Sequence, residues 1–206
     1  MRGPGATGPE GIPMGSCMTI NEGRFASALR LARRAHEGQY RKGTSTPYIA
    51  HPLAVAAIAL HYGADDDAAS AALLHDTVED GGGRPMLERI RWGIGERVAA
   101  IVDGCTDAYV TPKRPWEERK QAYVARLPSL PNATKLVIAC DKLDNLRATN
   151  DDLRSQGRRA LAKFSAPPPR LHWYYNECFR AIAAGIPFQL AERLREELRA
   201  VDPWLA

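Results

Sequence analysis

Apolar residues recur at helical spacing along most of the chain, and no segment alternates apolar and polar residues with the period of two typical of strands. The first such segment places five apolar residues on one helical face: Phe25, Ala28, Leu29, Ala32 and Ala35. The same spacing predicts further helices over residues 53–62, 68–78, 85–92, 96–105, 116–127, 132–147, 171–184 and 188–201. The sequence therefore predicts an all-α fold.

The first 18 residues have a different character, because eight of them are Gly or Pro. Such a composition buries little apolar surface, so residues 1–18 are predicted to be a disordered tail. Residues 19–206 are then predicted to form a single helical domain, which is long enough for a sizeable core. Met18 lies directly before the first helix and is an alternative start of the chain.

Charge and composition narrow the classes of function. The 206-residue chain has a formal net charge of +4, a mildly basic balance that suits an anionic ligand. It has no Lys/Arg tract with interleaved aromatic residues and no run of about 20 apolar residues, so neither a nucleic-acid partner nor a membrane span is expected. The four cysteines are scattered without a CxxC pair, which favours a cytoplasmic location. Oligomeric state is left open.

An unusual group of ionisable residues follows the apolar stretch AALL (71–74). If the helix continues, His75 and Glu79 lie four residues apart, as do Asp76 and Asp80, so all four share one edge. Three carboxylates so close together repel one another unless a cation lies among them. Imidazole and carboxylate ligands suit Mn²⁺, Zn²⁺ or Fe²⁺.

Two other apolar segments also have an ionisable residue at one end. Asp141 follows LVIAC (136–140), and His51 begins the apolar helix at Pro52. Taken singly, each of these groups is more readily explained as a helix-end residue or a solvated ion pair. Together, three separate apolar helices each carry an ionisable group. This coincidence favours a metal site made of His51, His75, Asp76 and Asp141.

The chain resembles the HD-superfamily hydrolases, and in particular the hydrolase domain of the RelA/SpoT alarmone enzymes and the stand-alone small alarmone hydrolases. The resemblance rests on RK (41–42), PYIAHP (47–52), AALLHDTVED (71–80), GERVAAIVDGCTD (95–107) and TKLVIACDKLDNLR (134–147), in the family's order and spacing. It implies an HD-type phosphohydrolase domain in which His51, His75, Asp76 and Asp141 hold one Mn²⁺. No segment resembles the family's synthetase domain.

The resemblance also implies roles for residues around the metal. Glu79 and Asp80 would handle the attacking water, and the nucleotide would be bound by four residues: Arg41, Lys42, Lys142 and Asn145. The implied activity is metal-dependent hydrolysis of the 3′-pyrophosphate of ppGpp or pppGpp. Hydrolysis of an adenine alarmone or of NADPH is an alternative, as is a non-catalytic nucleotide-binding module. The acidic pair argues against that module, because an idle site has no need of it.

Two single positions and one three-residue segment depart from the family pattern. Asp144 replaces an aromatic residue or His, Cys140 replaces Ala, and Gly81–Gly83 replace a segment that often carries Asp and Thr. Asp144 adds a negative charge one turn from Asp141, and we expect this charge to weaken binding of a polyanionic substrate.

Overall fold

A computed structural model describes residues 21–110 and 112–205 of the chain. Within these ranges the helices are α1 (Glu22–Ala35), α2 (Ala50–His61), α3 (Asp66–Leu74), α4 (Gly83–Gly93), α5 (Glu96–Cys105), α6 (Trp116–Arg126), α7 (Asn132–Gln156), α8 (Pro168–Ile182) and α9 (Phe188–Leu205). The same ranges contain no strand, only an isolated β-bridge between Tyr40 and Pro47. The all-α prediction is confirmed. The tail predicted for residues 1–18 lies outside the described residues.

Side-chain caps fix where α1 and α3 begin. The carboxamide oxygen of Asn21 accepts a hydrogen bond from the backbone N–H of Arg24 at 3.1 Å, and the carboxylate of Asp65 accepts one from Ala68 at 2.9 Å. Each bond satisfies a backbone donor that the helix itself leaves free. Arg24 also donates to Asp66 at 2.9 Å, which ties the starts of the two helices together.

Helix α3 is the centre of the core. Every residue from position 68 to position 74 is buried, and α1, α2, α5 and α7 pack around this helix. Alanine supplies many of the buried positions of α2 and α3, so the helix axes can approach closely. The site described below lies at the C-terminal end of this buried helix.

The third helix ends at Leu74, four residues earlier than the sequence pattern predicts. His75 Nδ1 lies 2.8 Å from the carbonyl oxygen of Ala72, and Thr77 Oγ1 donates to the carbonyl of Leu74 at 2.7 Å. These side chains bond the carbonyls of the last α-helical turn, and the chain widens into a π-helical turn over Val78–Gly82. Such turns are frequent at functional sites.

Gly83 turns the chain from the π-helical segment into α4. Its φ is +53°, and a Cβ at this position would lie 2.5 Å from the backbone oxygen of Tyr109. Only glycine accepts both the left-handed backbone and the close approach.

Helix α7 runs to Gln156, nine residues beyond the predicted end at residue 147. The extension has a largely polar sequence, but Thr149, Asn150 and Leu153 are buried. Asn150 donates to the backbone oxygen of Glu197 at 3.0 Å, so α9 supplies the partner that prolongs the helix.

In the described part of the chain, no helix is both long and apolar enough to cross a bilayer.

Candidate active site

Three helices bring the four predicted metal ligands together. The ligand atoms of His51, His75 and Asp141 lie within 4.8 Å of one another, and Asp76 lies beside the two histidines. His51 lies in the first turn of α2, His75 caps the end of α3 with Asp76 next to it, and Asp141 lies in α7. The two imidazoles are only 2% and 3% exposed. The four side chains form part of the wall of a cleft of about 590 Å³.

The two imidazole rings face each other through their Nε2 atoms, which are 3.2 Å apart. Each Nδ1 already has an acceptor: the carbonyl of Ala72 at 2.8 Å for His75, and the carboxylate of Asp144 at 2.6 Å for His51. In the neutral rings the proton is therefore assigned to Nδ1. The lone pairs of both Nε2 atoms then point into the same space.

Two carboxylates close this space. Asp141 Oδ1 lies 3.2 Å from Nε2 of His51 and 3.6 Å from that of His75, and Asp76 Oδ2 lies 3.5 Å and 3.1 Å from the same two atoms. Two unprotonated nitrogens and two carboxylate oxygens so close together are stable only with a cation or bound protons among them. The residues fit a divalent metal ion, and the mixed nitrogen and oxygen donors suit the first-row transition metals.

The neighbouring carboxylates raise the pKa values of both histidines. Burial lowers the pKa of His75, but the neighbouring Asp76 and Asp141 outweigh burial and raise it to about 10. Asp141, Asp144 and Asp76 likewise raise the pKa of His51 against the effect of burial. Protons held by this group would therefore balance the carboxylates in the absence of a metal. A divalent cation would replace those protons.

Further hydrogen bonds orient the two aspartates. Tyr48 donates its hydroxyl to Asp76 Oδ2 at 2.6 Å. Asn145 donates to Asp141 Oδ1 at 2.5 Å, and Lys142 binds Asp141 Oδ2 at 2.6 Å. Such outer contacts fix the direction in which a ligand presents its oxygens.

Lys142 and Asn145, two of the four predicted nucleotide contacts, thus lie against a predicted metal ligand. The side chain of Lys142 is largely buried, and its ammonium lies 5.3 Å from the centre of the Tyr174 ring and 6.0 Å from that of Tyr123. Burial opposes ionisation of Asp141, yet Lys142 and the two histidines hold its pKa well below its usual range. Contact between these two residues and a nucleotide stays a prediction.

Glu79 and Asp80 lie in the π-helical turn, at the wall of the cleft. Lys113 Nζ donates to both carboxylates, at 2.9 Å to Glu79 and 3.3 Å to Asp80. Burial raises the pKa of Glu79; Lys120 counteracts this, but Asp107 and Asp76 keep the pKa above the ordinary value. The pair is thus held by a lysine and contains one carboxylate that is a stronger base than usual.

The predicted basic pair is on the loop between α1 and α2. Arg41 donates from its guanidinium to Asp144 at 2.6 Å and to Asn145 at 3.3 Å. The backbone N–H of Arg41 also bonds to the carbonyl of Thr46 at 2.9 Å, which closes the loop. Lys42 is exposed at the edge of the cleft.

Sequence reasoning missed several residues of the cleft. Asp107 is nearly inaccessible and pairs with Arg119 at 2.6 Å and Lys120 at 2.5 Å, which brings both cations into the cleft. The GERVAAIVDGCTD stretch that ends at Asp107 was the available signal, but four residues separate Asp107 from the apolar run VAAIV (98–102), so it does not stand out as His75 and Asp141 do. The signal for Tyr48 was its place three residues before His51.

The chain is similar to known proteins in sequence and in structure. A model of the HD domain family matches residues 28–166. Guanosine-3′,5′-bis(diphosphate) 3′-pyrophosphohydrolase MESH1 of Xenopus tropicalis is 41% identical over 133 residues, which are 63% of this chain and 72% of that protein. The human MESH1 is 40% identical over 130 residues, 62% of this chain and 70% of that protein.

More distant relatives extend the comparison. The guanosine-3′,5′-bis(diphosphate) 3′-pyrophosphohydrolase of Haemophilus influenzae is 37% identical over 65% of this chain, but the match spans 20% of that protein. The solved structure of a metazoan ortholog of SpoT, described as hydrolysing ppGpp, matches with a TM-score of 0.71 and 27% identity, over 88% of this chain and 97% of that one. The chain therefore belongs to the HD-domain family, in the group that includes the guanosine-3′,5′-bis(diphosphate) 3′-pyrophosphohydrolases.

Proposed function

We propose that this protein is a metal-dependent hydrolase that removes the 3′-pyrophosphate of guanosine alarmones such as ppGpp and pppGpp, releasing GDP or GTP and pyrophosphate. The observation that carries the proposal is the convergence of two histidine nitrogens and two aspartate oxygens beside an acidic pair. The 41% identity to a protein named for this reaction supports the choice of substrate.

Mn²⁺ is the cation we propose for the site, held by His51, His75, Asp76 and Asp141. The donor set of two imidazoles and two carboxylates suits the first-row transition metals, and the choice of Mn²⁺ among them follows the family resemblance. When bound, such a cation polarises a phosphoryl oxygen and lowers the pKa of water. The hydrogen bonds that Tyr48 and Lys142 make to the two aspartates would keep the carboxylates in place.

Glu79 and Asp80 would orient the attacking water and accept its proton. The raised pKa of Glu79 makes this carboxylate a better base near neutral pH than an exposed glutamate. Lys113 holds both carboxylates on the wall of the cleft. The new bond joins the water oxygen to the phosphorus next to the 3′ oxygen, the bond from that phosphorus to the 3′ oxygen breaks, and the 3′ oxygen takes up a proton.

The cations of the cleft would bind the phosphates. Arg41 and Lys42 reach it from the α1–α2 loop, and Lys113, Arg119 and Lys120 lie on another part of its lining. An arginine can bind phosphate with two parallel hydrogen bonds or stack on a base. Lys142 and Asn145, which contact Asp141, would act close to the reacting phosphate.

We also propose that residues 19–206 form one HD-type domain. The family match ends at residue 166, but the buried residues of α8 and α9 join the same core cluster as those of α3. A cytoplasmic location is part of the proposal. It is supported by the free thiols of Cys105, Cys140 and Cys178.

The test is incubation of the purified protein with Mn²⁺ and a panel of nucleotides: ppGpp, pppGpp, the adenine counterpart of ppGpp, and NADPH. We expect ppGpp to give GDP and pyrophosphate, identified by chromatography, and the His75→Ala variant to give neither. Preferential use of the adenine nucleotide or NADPH would overturn the substrate. Turnover of none of the four, in protein that binds both Mn²⁺ and ppGpp, would favour a nucleotide-binding module.

A further inference from the structure

The sequence predicts that the charge of Asp144 weakens binding of a polyanionic substrate, but the structure places this carboxylate against two donor groups. It lies on α7, three residues after Asp141 and therefore on the same face of that helix. One of its oxygens, Oδ2, lies 2.6 Å from Nδ1 of His51 and 2.6 Å from a guanidinium nitrogen of Arg41. Only 17% of its side chain is exposed. Its charge is thus taken up by two cationic or donor partners instead of facing the substrate.

The contact with His51 determines which nitrogen of that ring is available. A carboxylate oxygen only accepts hydrogen bonds, so the proton of the neutral ring is held on Nδ1. The lone pair of Nε2 then points toward His75 Nε2 and Asp141 Oδ1, where the other donors converge. The same contact prevents the ring from rotating away and increases its basicity as a ligand.

The contact with Arg41 anchors the loop between α1 and α2 on the metal centre. The guanidinium also donates to Asn145 Oδ1, and Asn145 in turn donates to Asp141. Arg41 is therefore held by two residues of α7 that each contact a predicted metal ligand.

We propose that Asp144 is a positioning residue that fixes the ring of His51 for the metal and anchors Arg41 beside it through the same carboxylate oxygen. The inference rests on the metal site of the proposed function. It reverses the expectation that this negative charge opposes a polyanionic substrate. Because one oxygen serves both partners, occupancy of the metal site and the position of a substrate-binding arginine depend on the same side chain.

The test measures Mn²⁺ affinity in the absence of nucleotide, from the electron paramagnetic resonance signal of the free ion. Asp144→Leu has a similar size but no acceptor, and we expect it to raise the Kd for Mn²⁺ by roughly 10–100-fold, as loss of such a contact does elsewhere. Asp144→Asn keeps one acceptor oxygen without the charge, so its Kd should lie between that of Asp144→Leu and that of the wild type. Arg41→Met should leave the Kd unchanged, because His51 keeps its partner.

A control variant and a stability measurement show whether a change in the Kd for Mn²⁺ is specific to Asp144. Glu196→Ala removes an exposed carboxylate of α9 that is paired with Arg193, and should bind Mn²⁺ as the wild type does. Thermal unfolding of each variant reports whether the fold is intact; if Asp144→Leu does not fold, the Asn variant alone carries the test. At saturating Mn²⁺, folded Asp144 variants should show a raised KM for nucleotide, because Arg41 has lost its anchor.

Wild-type Mn²⁺ affinity in the folded Asp144 variants would overturn the proposal. Equal losses in the Leu and Asn variants would also overturn it, since they would show that the charge matters and the hydrogen-bond acceptor does not. These outcomes are separate from a failure of the substrate assignment, because the affinity is measured without any nucleotide. A wild type that binds Mn²⁺ tightly but does not hydrolyse ppGpp would reject the substrate and leave this inference standing.

Discussion

Replacement of Glu79 by glutamine tests the proposed chemistry most directly. The side chain lies in the π-helical turn one turn past His75, in the wall of the same cleft as the proposed metal ligands but outside that ligand set. Its carboxylate is held by Lys113 at 2.9 Å. Glutamine has nearly the same size and keeps one oxygen, so Glu79→Gln removes a base without opening a cavity.

The expected effect is on the chemical step alone. A general base typically contributes about 10²–10⁴-fold, which corresponds to about 2.7–5.4 kcal/mol of transition-state stabilisation. Lys113 retains Asp80 as a partner at 3.3 Å, so this lysine keeps an anionic partner. We therefore expect kcat to fall by about 10²–10⁴-fold while Mn²⁺ content and the melting temperature stay at wild-type values.

The pH profile adds a second signature. Burial, Asp107 and Asp76 raise the pKa of Glu79, and only the deprotonated carboxylate accepts a proton. Activity of the wild type should therefore fall as the pH drops through this raised pKa, above the range of an ordinary glutamate. When Mn²⁺ is kept saturating at every pH, metal binding does not contribute to the profile; Glu79→Gln cannot titrate, so this acidic limb should then be absent.

The assay is steady-state release of pyrophosphate from ppGpp with Mn²⁺, with metal analysis of each protein. Glu88→Gln is the control, because Glu88 is an exposed glutamate of α4 paired with Arg91. Its kcat should match the wild type. Full activity of Glu79→Gln, or an unchanged acidic limb, would refute the role of Glu79 as the base. Loss of the metal from this variant would show that Glu79 acts as a ligand instead.

The remaining predictions concern the metal ligands, the substrate contacts, the pH dependence of metal binding and the core. His75→Ala and Asp141→Ala should each lose the bound metal, and full metal content in both by elemental analysis would rule out the proposed ligand set. Arg41→Ala and Lys42→Ala should raise the KM for nucleotide and keep the metal; wild-type efficiency in both would place the substrate elsewhere. Mn²⁺ should bind more tightly as the pH rises, because the raised pKa of His75, about 10, means that the metal displaces a proton; calorimetry in buffers of different ionisation heat should detect the released proton, and pH-independent binding would contradict this. Leu153→Ala should lower the free energy of unfolding by about 2–5 kcal/mol, since this side chain near the end of α7 is 1% exposed; a loss below about 1 kcal/mol in denaturant titration, against that range, would show that the extension of α7 is not part of the core.

The helices that the pattern predicts are those whose apolar face is visible in the sequence. Helix α5 occupies the predicted residues 96–105. The ends of α3 and α7 differ from prediction because contacts made by side chains decide them. The hydrogen bond from Thr77 to the carbonyl of Leu74 ends α3, and the contact of Asn150 with Glu197 prolongs α7. Neither contact has a signature in local hydrophobic spacing.

For the candidate site too, the sequence predicts some features and the packing of the helices decides others. His51, His75 and Asp141 are conspicuous in the sequence because an ionisable group beside an apolar helix is costly without a partner. The sequence therefore determined which residue types would meet, and the family resemblance assigned roles to them. Their distances, and the burial that shifts the pKa of Glu79, depend on how α2, α3 and α7 pack.

Asp144 marks the limit of what the sequence by itself determined. Sequence spacing places Asp144 one turn from Asp141 on the same helix, so its charge is expected to repel a polyanionic substrate. The spacing says nothing about His51 and Arg41, which lie 93 and 103 positions away in the sequence. The tertiary structure places His51 and Arg41 against this carboxylate, and both contacts reverse the sign of its expected effect. A charge acts through the groups that surround it in space, and for Asp144 only the packing of α2 and the α1–α2 loop onto α7 decided which groups those are.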